Sequence, residues 1–108
     1  MLMPSETRIF VCSSPADMRR SFYGLCGLAR DLLKLDPLDG SLFVFLNKNR
    51  SMVKILWYEG DGFAIWTKRL NQGTFCVSFK TDSISTPITC TELSLLLKNI
   101  GKSSIKIR

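Results

Sequence analysis

Histidine is absent from this chain of 108 residues. That removes the usual general base near neutral pH, and no Ser-His or Cys-His arrangement can be built. Long apolar runs are absent too, none approaching the ~20 residues of a membrane span, and Met1 to Cys12 lacks the cationic start and apolar core of a signal peptide. A cytoplasmic protein with no membrane association is expected. Close cysteine pairs are also missing. Cys12, Cys26, Cys76 and Cys90 are scattered through apolar contexts, whereas a zinc site normally shows pairs such as C-x-x-C. Buried, reduced thiols are the expectation, with no metal and no cofactor.

Acidic residues are scarce: nine Asp and Glu stand against 15 Lys and Arg, a formal net charge of +6. The few carboxylates fall in unpromising places for catalysis. Asp36, Asp39, Glu59 and Asp61 lie beside Pro or Gly, where a side-chain oxygen accepting local backbone N–H groups is the simplest role. Asp17 and Glu92 fall where helix N-termini are expected. A nuclease needs acidic side chains converging on metal ions, and no spacing here provides that. The expectation is a protein without catalytic residues.

What is present suits one folded domain. Hydrophobic residues make up 45% of the chain and charged residues 22%, which argues against disorder. A chain of this length buries roughly two-thirds of its unfolded surface around one core. The expected unit spans residues 1–108, with 1–7 and 102–108 as flexible tails, and shows no repeat or low-complexity tract.

Local patterning predicts an α+β fold: an antiparallel β-meander of about four or five strands packed with one long N-terminal helix and a short C-terminal helix. Arg8 to Cys12 reads as a short strand. Ser14-Pro15-Ala16-Asp17 resembles a capped helix start, followed by Met18, Phe22, Leu25, Ala29 and Leu32 at helical period. Gly24 and Gly27 each cost such a helix up to ~1 kcal/mol; a close approach to a strand or partner and a tolerated defect are the two explanations. Pro37 ends the helix, and Asp39-Gly40 turns the chain. Leu42 to Leu46 reads as a strand buried on both faces. Met52 to Tyr58 and Phe63 to Lys68 form a hairpin about Glu59-Gly60-Asp61-Gly62, where glycine supplies the positive φ a tight turn needs. Thr74 to Phe79 alternates as a further strand, residues Lys80 to Pro87 read as a polar connection, and Thr89-Cys90-Thr91-Glu92 is a capping box before Leu93, Leu96, Leu97 and Ile100. Gly101 is the expected stop, with a basic tail from Lys102 to Arg108.

Several of these segments together resemble a known family. Asp17-Met18-Arg19-Arg20-Ser21 matches its D-M-R-[KR]-S opening, and Phe22 to Leu25 supplies F-x-G-L. Leu35-Asp36-Pro37, Gly40 and Phe43-Val44-Phe45 match the next block. Lys54-Ile55-Leu56, Gly60-Asp61-Gly62-Phe63, Trp66, Lys68-Arg69-Leu70, Gly73 and Phe75 complete the series. In this order and spacing the chain, from about Val11 to Phe75, resembles the small accessory protein of the insertion sequence 66 family of bacterial mobile elements. Glu59 departs from the pattern, aspartate being common there, and the chain after Phe75 matches poorly. The resemblance implies a protein encoded beside a larger transposase and assisting transposition, with the transposase or another element-encoded protein as a partner.

Charge bears on the partner directly. A small domain with this excess of Lys and Arg favours polyanions, and DNA is the leading candidate. Consecutive hairpin loops of a meander lie at opposite ends of the sheet, so the loop carrying Lys48 and Arg50 should lie near Lys68 and Arg69 and far from Gly60. With Lys54 in the adjoining strand, this marks a basic surface, for which phosphate contact and simple solvated hairpin ends are the two readings. Arg19 and Arg20, placed at an expected helix start, oppose the helix dipole; phosphate contact or an ion pair with Asp17 or Asp36 are the two explanations. Trp57, Tyr58, Phe63 and Trp66 offer rings for unpaired bases, with core packing as the simpler reading of Trp57 and Trp66. The preferred expectation is a non-catalytic DNA-binding accessory protein using Arg19, Arg20, Lys48, Arg50, Lys54, Lys68 and Arg69. The alternatives are an adaptor docking on the transposase without touching DNA, and a subunit of a metal-dependent nuclease. Homo-oligomerisation stays open.

Overall fold

The computed structural model describes residues 6–79 and 82–98 and the backbone strand Ile105–Ile107. Its elements in order are β1 (Ile9–Cys12), α1 (Phe22–Gly27, continued by a π-helical turn over Leu28–Leu32), β2 (Leu42–Leu46), β3 (Met52–Tyr58), β4 (Phe63–Arg69), β5 (Val77–Phe79), β6 (Ser85–Ile88), α2 (Cys90–Lys98) and β7 (Ile105–Ile107). Five strands form one sheet in the order β4-β3-β2-β1-β6, and β5 and β7 form a separate parallel pair.

This corrects the expected all-antiparallel meander with a long N-terminal helix. The sheet is mixed, because β1 and β2 run parallel with Ile9 opposite Leu42 and Val11 opposite Val44. Parallel neighbours need a crossover, and the segment holding α1 provides it. Among the described residues, β2, β3 and β4 alone form a meander.

The helix is short at its start for a local reason. Ser13 and Ala16 donate their N–H groups to the carbonyls of Ile84 (3.0 Å) and Leu46 (2.9 Å), so the chain around Pro15 still runs beside the sheet. Asp17 then organises a turn, accepting the Arg19 N–H at 2.9 Å through its side chain and the Arg20 N–H at 3.0 Å through its carbonyl. Competition of this kind between an Asp side chain and the helix is what favours turns over helix interiors. Helix begins only at Phe22, and Ser21 makes no side-chain cap.

The π-turn re-aims the buried stripe. Leu33 N–H reaches back to Leu28 C=O at 2.9 Å and Leu35 N–H to Ala29 C=O at 2.9 Å, and Lys34 leaves the helix in the left-handed region at φ 59°. Leu25, Ala29 and Leu33 are consequently the buried positions, while Phe22, expected on the inner face, is exposed. At Gly24 the nearest neighbour is an arginine stem: a Cβ there would meet Arg20 Cβ and Cγ at 3.0 Å, so the glycine hydrogen makes room for it.

Two cores sit on the two faces of the sheet. Every residue of β2 is buried, as its continuous apolar run requires. Phe43 and Phe45 pack with Leu25, Ala29, Leu33 and Leu56 under α1. Leu42, Val44 and Leu46 pack on the other face with Val53, Ile55, Leu93 and Leu96 under α2, together with Phe75 and Val77. Burial of each such side chain is worth roughly 1.5–3 kcal/mol. The alternation of Phe75, Val77 and Phe79 therefore closes this second face, and does not extend the meander past β4.

The connection expected from Lys80 to Pro87 contains β6, which pairs antiparallel with β1 from Ser85–Cys12 to Ile88–Ile9. Pro87 obscures this strand in the sequence, but β6 is an edge, where a missing N–H is tolerated. The capping box at α2 forms as expected: Glu92 N–H donates to Thr89 Oγ1 at 3.1 Å and Thr89 N–H to Glu92 Oε1 at 2.9 Å. Residues 1–5, Lys80, Thr81, 99–104 and Arg108 lie outside the described residues, so the expected roles of Ile100 and Gly101 and most of the basic tail fall there.

Candidate nucleic-acid interface

The β2–β3 turn is built around Asn47, whose Oδ1 accepts the N–H groups of Ser51 (2.9 Å) and Met52 (3.2 Å). Its neighbour Arg50 sits in the left-handed region at φ 55°. Leu70 N–H donates to Ser51 C=O at 2.9 Å, and Met52 pairs with Arg69. The turn and the end of β4 thus meet, bringing Lys48, Arg50, Lys68 and Arg69 to one end of the sheet.

They do not share a role. The Arg50 guanidinium hydrogen-bonds the Val77 carbonyl and lies 5.6 Å from the centre of the Phe79 ring. Its carbonyl accepts the Phe75 N–H at 2.7 Å. Arg50 therefore anchors the 75–79 segment over the core. Lys68 points to the α2 face and donates from Nζ to Leu97 C=O at 2.6 Å, in the last turn of α2, where a cation complements both the open carbonyls and the helix dipole. Lys48 is exposed at the turn and, among the described residues, has no hydrogen-bond or ion-pair partner. Arg69 is exposed on the α1 face, with only the Met52 sulfur at 3.5 Å from its Nη2.

Lys54 and Arg20 join Arg69 on that face. Lys54 Nζ donates to the Arg20 carbonyl at 2.9 Å, and the Arg20 side chain is exposed, its charge acting on Asp17 but making no ion pair among the described residues. Arg19 is different. Its Nε lies 3.0 and 3.1 Å from the two Asp17 oxygens and its Nη2 2.7 Å from Oδ2, so of the two explanations for the pair, Arg19 takes the ion pair. The Asp17 carboxyl is held down to about 2, chiefly by the Arg19 side-chain hydrogen bonds and also by the Arg19 backbone N–H.

Charge is segregated along the strand axis. At the end just described lie Arg19, Arg20, Lys48, Arg50, Lys54, Lys68, Arg69 and Lys98, with Asp17 and Asp82 as the described acids. At the opposite end lie Asp31, Asp36, Asp39, Glu59, Asp61 and Glu92, together with the cations Arg8, Arg30 and Lys34. Two of these make local turns, Asp36 accepting the Leu38 N–H at 2.9 Å and Asp39 the Ser41 N–H at 2.8 Å. Arg8 pairs with Asp39 at 2.6 Å and Arg30 with Asp31 at 2.9 Å.

Aromatic residues separate as well. Trp57 and Trp66 pack against the α2-side core. Phe63 contacts Tyr58 at 5.0 Å between ring centres and, with Phe22, Tyr23 and Cys26, lines an open apolar hollow of about 350 Å³ between α1 and β4. Tyr23 is 96% exposed. Sequence reasoning missed this hollow because it placed Phe22 inside; the consecutive aromatics Phe22-Tyr23 were the available signal, since one helix face cannot bury both.

Among the described residues no three Cys, Asp or Glu side chains are placed to hold a metal ion. None of the described helices is long and apolar enough to cross a membrane. Cys12 is buried, which pushes its thiol up, while Cys26 and Cys76 are half-buried and Cys90 is exposed. Only Cys12 is buried as the sequence reading expected for all four.

The fold and charge layout define a small mixed-sheet protein with a polarised surface and a scaffold of largely apolar strands. Its family follows from sequence comparison: the pattern of the family described as IS66 Orf2 like protein matches residues 7–106. The chain belongs to that family and is an insertion-sequence accessory protein. It is similar to the uncharacterized protein y4hO of Sinorhizobium fredii (strain NBRC 101917 / NGR234), 37% identical over 101 residues covering 92% of this chain and 87% of the relative. Protein y4jC of the same strain, also uncharacterized, is 32% identical over 107 residues, covering 98% and 91%. No solved structure matches the chain.

Proposed function

We propose that this protein assists transposition by binding the DNA backbone through the basic end of its sheet. The observation that carries the reading is the set Arg20, Lys48, Lys54 and Arg69, which share that end and have no carboxylate partner among the described residues. Arg50 and Lys68 hold the fold behind this surface, and Arg19 is neutralised by Asp17. Contacts of this type are to phosphate, so they supply affinity and orientation without reading sequence.

The test is a titration of purified protein on duplexes from the ends of its own element and on scrambled duplex, across a salt series. Each phosphate contact contributes about 0.9 to the slope of log K against log salt. Replacing Lys48 and Arg69 by Gln should therefore flatten the slope by about 2, and an unchanged slope would sink the assignment.

A second reading, an adaptor docking on the transposase, is favoured by the apolar hollow at Phe22, Tyr23 and Phe63. It predicts co-purification with the transposase that Tyr23→Asp abolishes, with no shift of DNA.

A further inference from the structure

The two edges of the main sheet are built differently. β6 has four residues with Pro87 among them, and a missing N–H blunts an edge against further pairing. β4 has seven residues, no proline, and no charge from Phe63 to Thr67. Two bonds set the phase of its ladder: Glu59 N–H to Gly62 C=O at 2.8 Å and Leu70 N–H to Ser51 C=O at 2.9 Å. Hydrogen-bonded pairs alternate along an antiparallel ladder, so Ala64, Trp66 and Lys68 bond to β3. Phe63, Ile65, Thr67 and Arg69 turn their N–H and C=O groups outward. Among the described residues no strand or loop pairs with them. The strand is apolar on both sides of this open edge, with Trp66 half-buried on the α2 face and Phe63 and Ile65 half-buried on the α1 face.

The polarity of charge chooses the occupant. β4 starts beside Glu59 and Asp61 and ends in the cationic cluster, so a second β4 laid parallel would set like charges side by side. Laid antiparallel about a two-fold axis at Trp66, it sets them in opposition. Phe63 of one copy then faces Arg69 of the other, Ile65 faces Thr67, and each outward N–H finds an outward C=O. Asp61 of one copy lies beside Arg69 of the other, and the Lys48 turn follows one strand further on, ~5 Å away. The two Trp66 residues occupy a non-hydrogen-bonded pair, the closer kind, where side chains pack across the junction. We infer that β4 is a self-association edge, through which two copies of this chain join into one continuous sheet. The inference is independent of DNA binding, although Arg69 belongs to both surfaces.

The full chain should sediment as a dimer that loosens as salt rises. Amide exchange on the dimer should show Phe63, Ile65, Thr67 and Arg69 as protected as Ala64 and Trp66. Thr67→Pro removes an outward N–H and no bond to β3, so this variant should retain its circular dichroism and fall to half the mass. A monomer at every soluble concentration, or fast exchange at the four outward amides, overturns the inference. So does a folded T67P variant that stays dimeric. If that variant fails to fold, the exchange pattern of the natural chain decides alone.

Discussion

The two ends of the sheet use charged side chains in opposite ways. At the acidic end, Asp36, Asp39 and Glu92 are occupied locally, each accepting a backbone N–H within three residues in a turn or helix cap. At the basic end, three cations reach far in sequence, Arg50 to Val77, Lys68 to Leu97 and Lys54 to the Arg20 carbonyl, and among the described residues Arg20, Lys48 and Arg69 make no ion pair. The chemistry explains the difference. A short carboxylate serves the backbone beside it, whereas a long cationic side chain either spans to another element or stays in water. Asp36, Asp39 and Glu92 are thus absorbed by the fold, and Arg20, Lys48 and Arg69 are left on the surface of the basic end.

Substitutions can break this contrast, and the largest effect should be on DNA affinity. Changing Lys48, Lys54 and Arg69 together to Gln should cut the salt slope by about 3, while Asp36→Asn and Asp61→Asn at the other end should leave it unchanged. Anisotropy titrations at several salt concentrations measure both. Next comes the anchor. Arg50→Ala removes the contacts to Val77 and Phe79 and should destabilise the protein by about 2 kcal/mol in urea unfolding. Arg50→Gly should recover part of this, because glycine relieves the positive φ; equal losses would show that backbone strain is immaterial there. Thr89→Ala, which opens the capping box at the acidic end, should cost about 1 kcal/mol. The smallest effect concerns pH. Asp17 titrates lower when folded than unfolded, so its contribution is present above the unfolded value near 3.8 and is lost as pH falls toward about 2. A carboxyl NMR titration should give a midpoint near 2, and no change traceable to Asp17 should occur between pH 5 and 8.

Much of the fold was legible where the pattern was strong and local. β2 showed itself as an uninterrupted apolar run, the β3–β4 hairpin as alternation around glycines, and α2 as a reciprocal Thr89–Glu92 cap. Convergence of the β2–β3 turn with the end of β4 followed from hairpin arithmetic. The errors came where a distant partner overrode a local preference. Ser14-Pro15-Ala16-Asp17 has the composition of a helix start, but the carbonyls of Ile84 and Leu46 hold this stretch against the sheet. Pro87 argued against a strand, yet β6 needs no N–H on its outer side. Thr74 to Phe79 alternated correctly, but nothing local says whether an alternating segment joins a sheet or covers one.

By itself the sequence determined the family, the excess of positive charge, the apolar strands and the turns, because each depends on residue type and short-range spacing. Only the tertiary structure decided that β1 and β2 run parallel, that Arg50 and Lys68 are anchors while Lys48 and Arg69 meet no carboxylate among the described residues, that Arg19 is neutralised, and that no described strand pairs with the outer edge of β4. Those outcomes depend on which backbone carbonyl or side chain, far away in the chain, arrives within hydrogen-bonding reach.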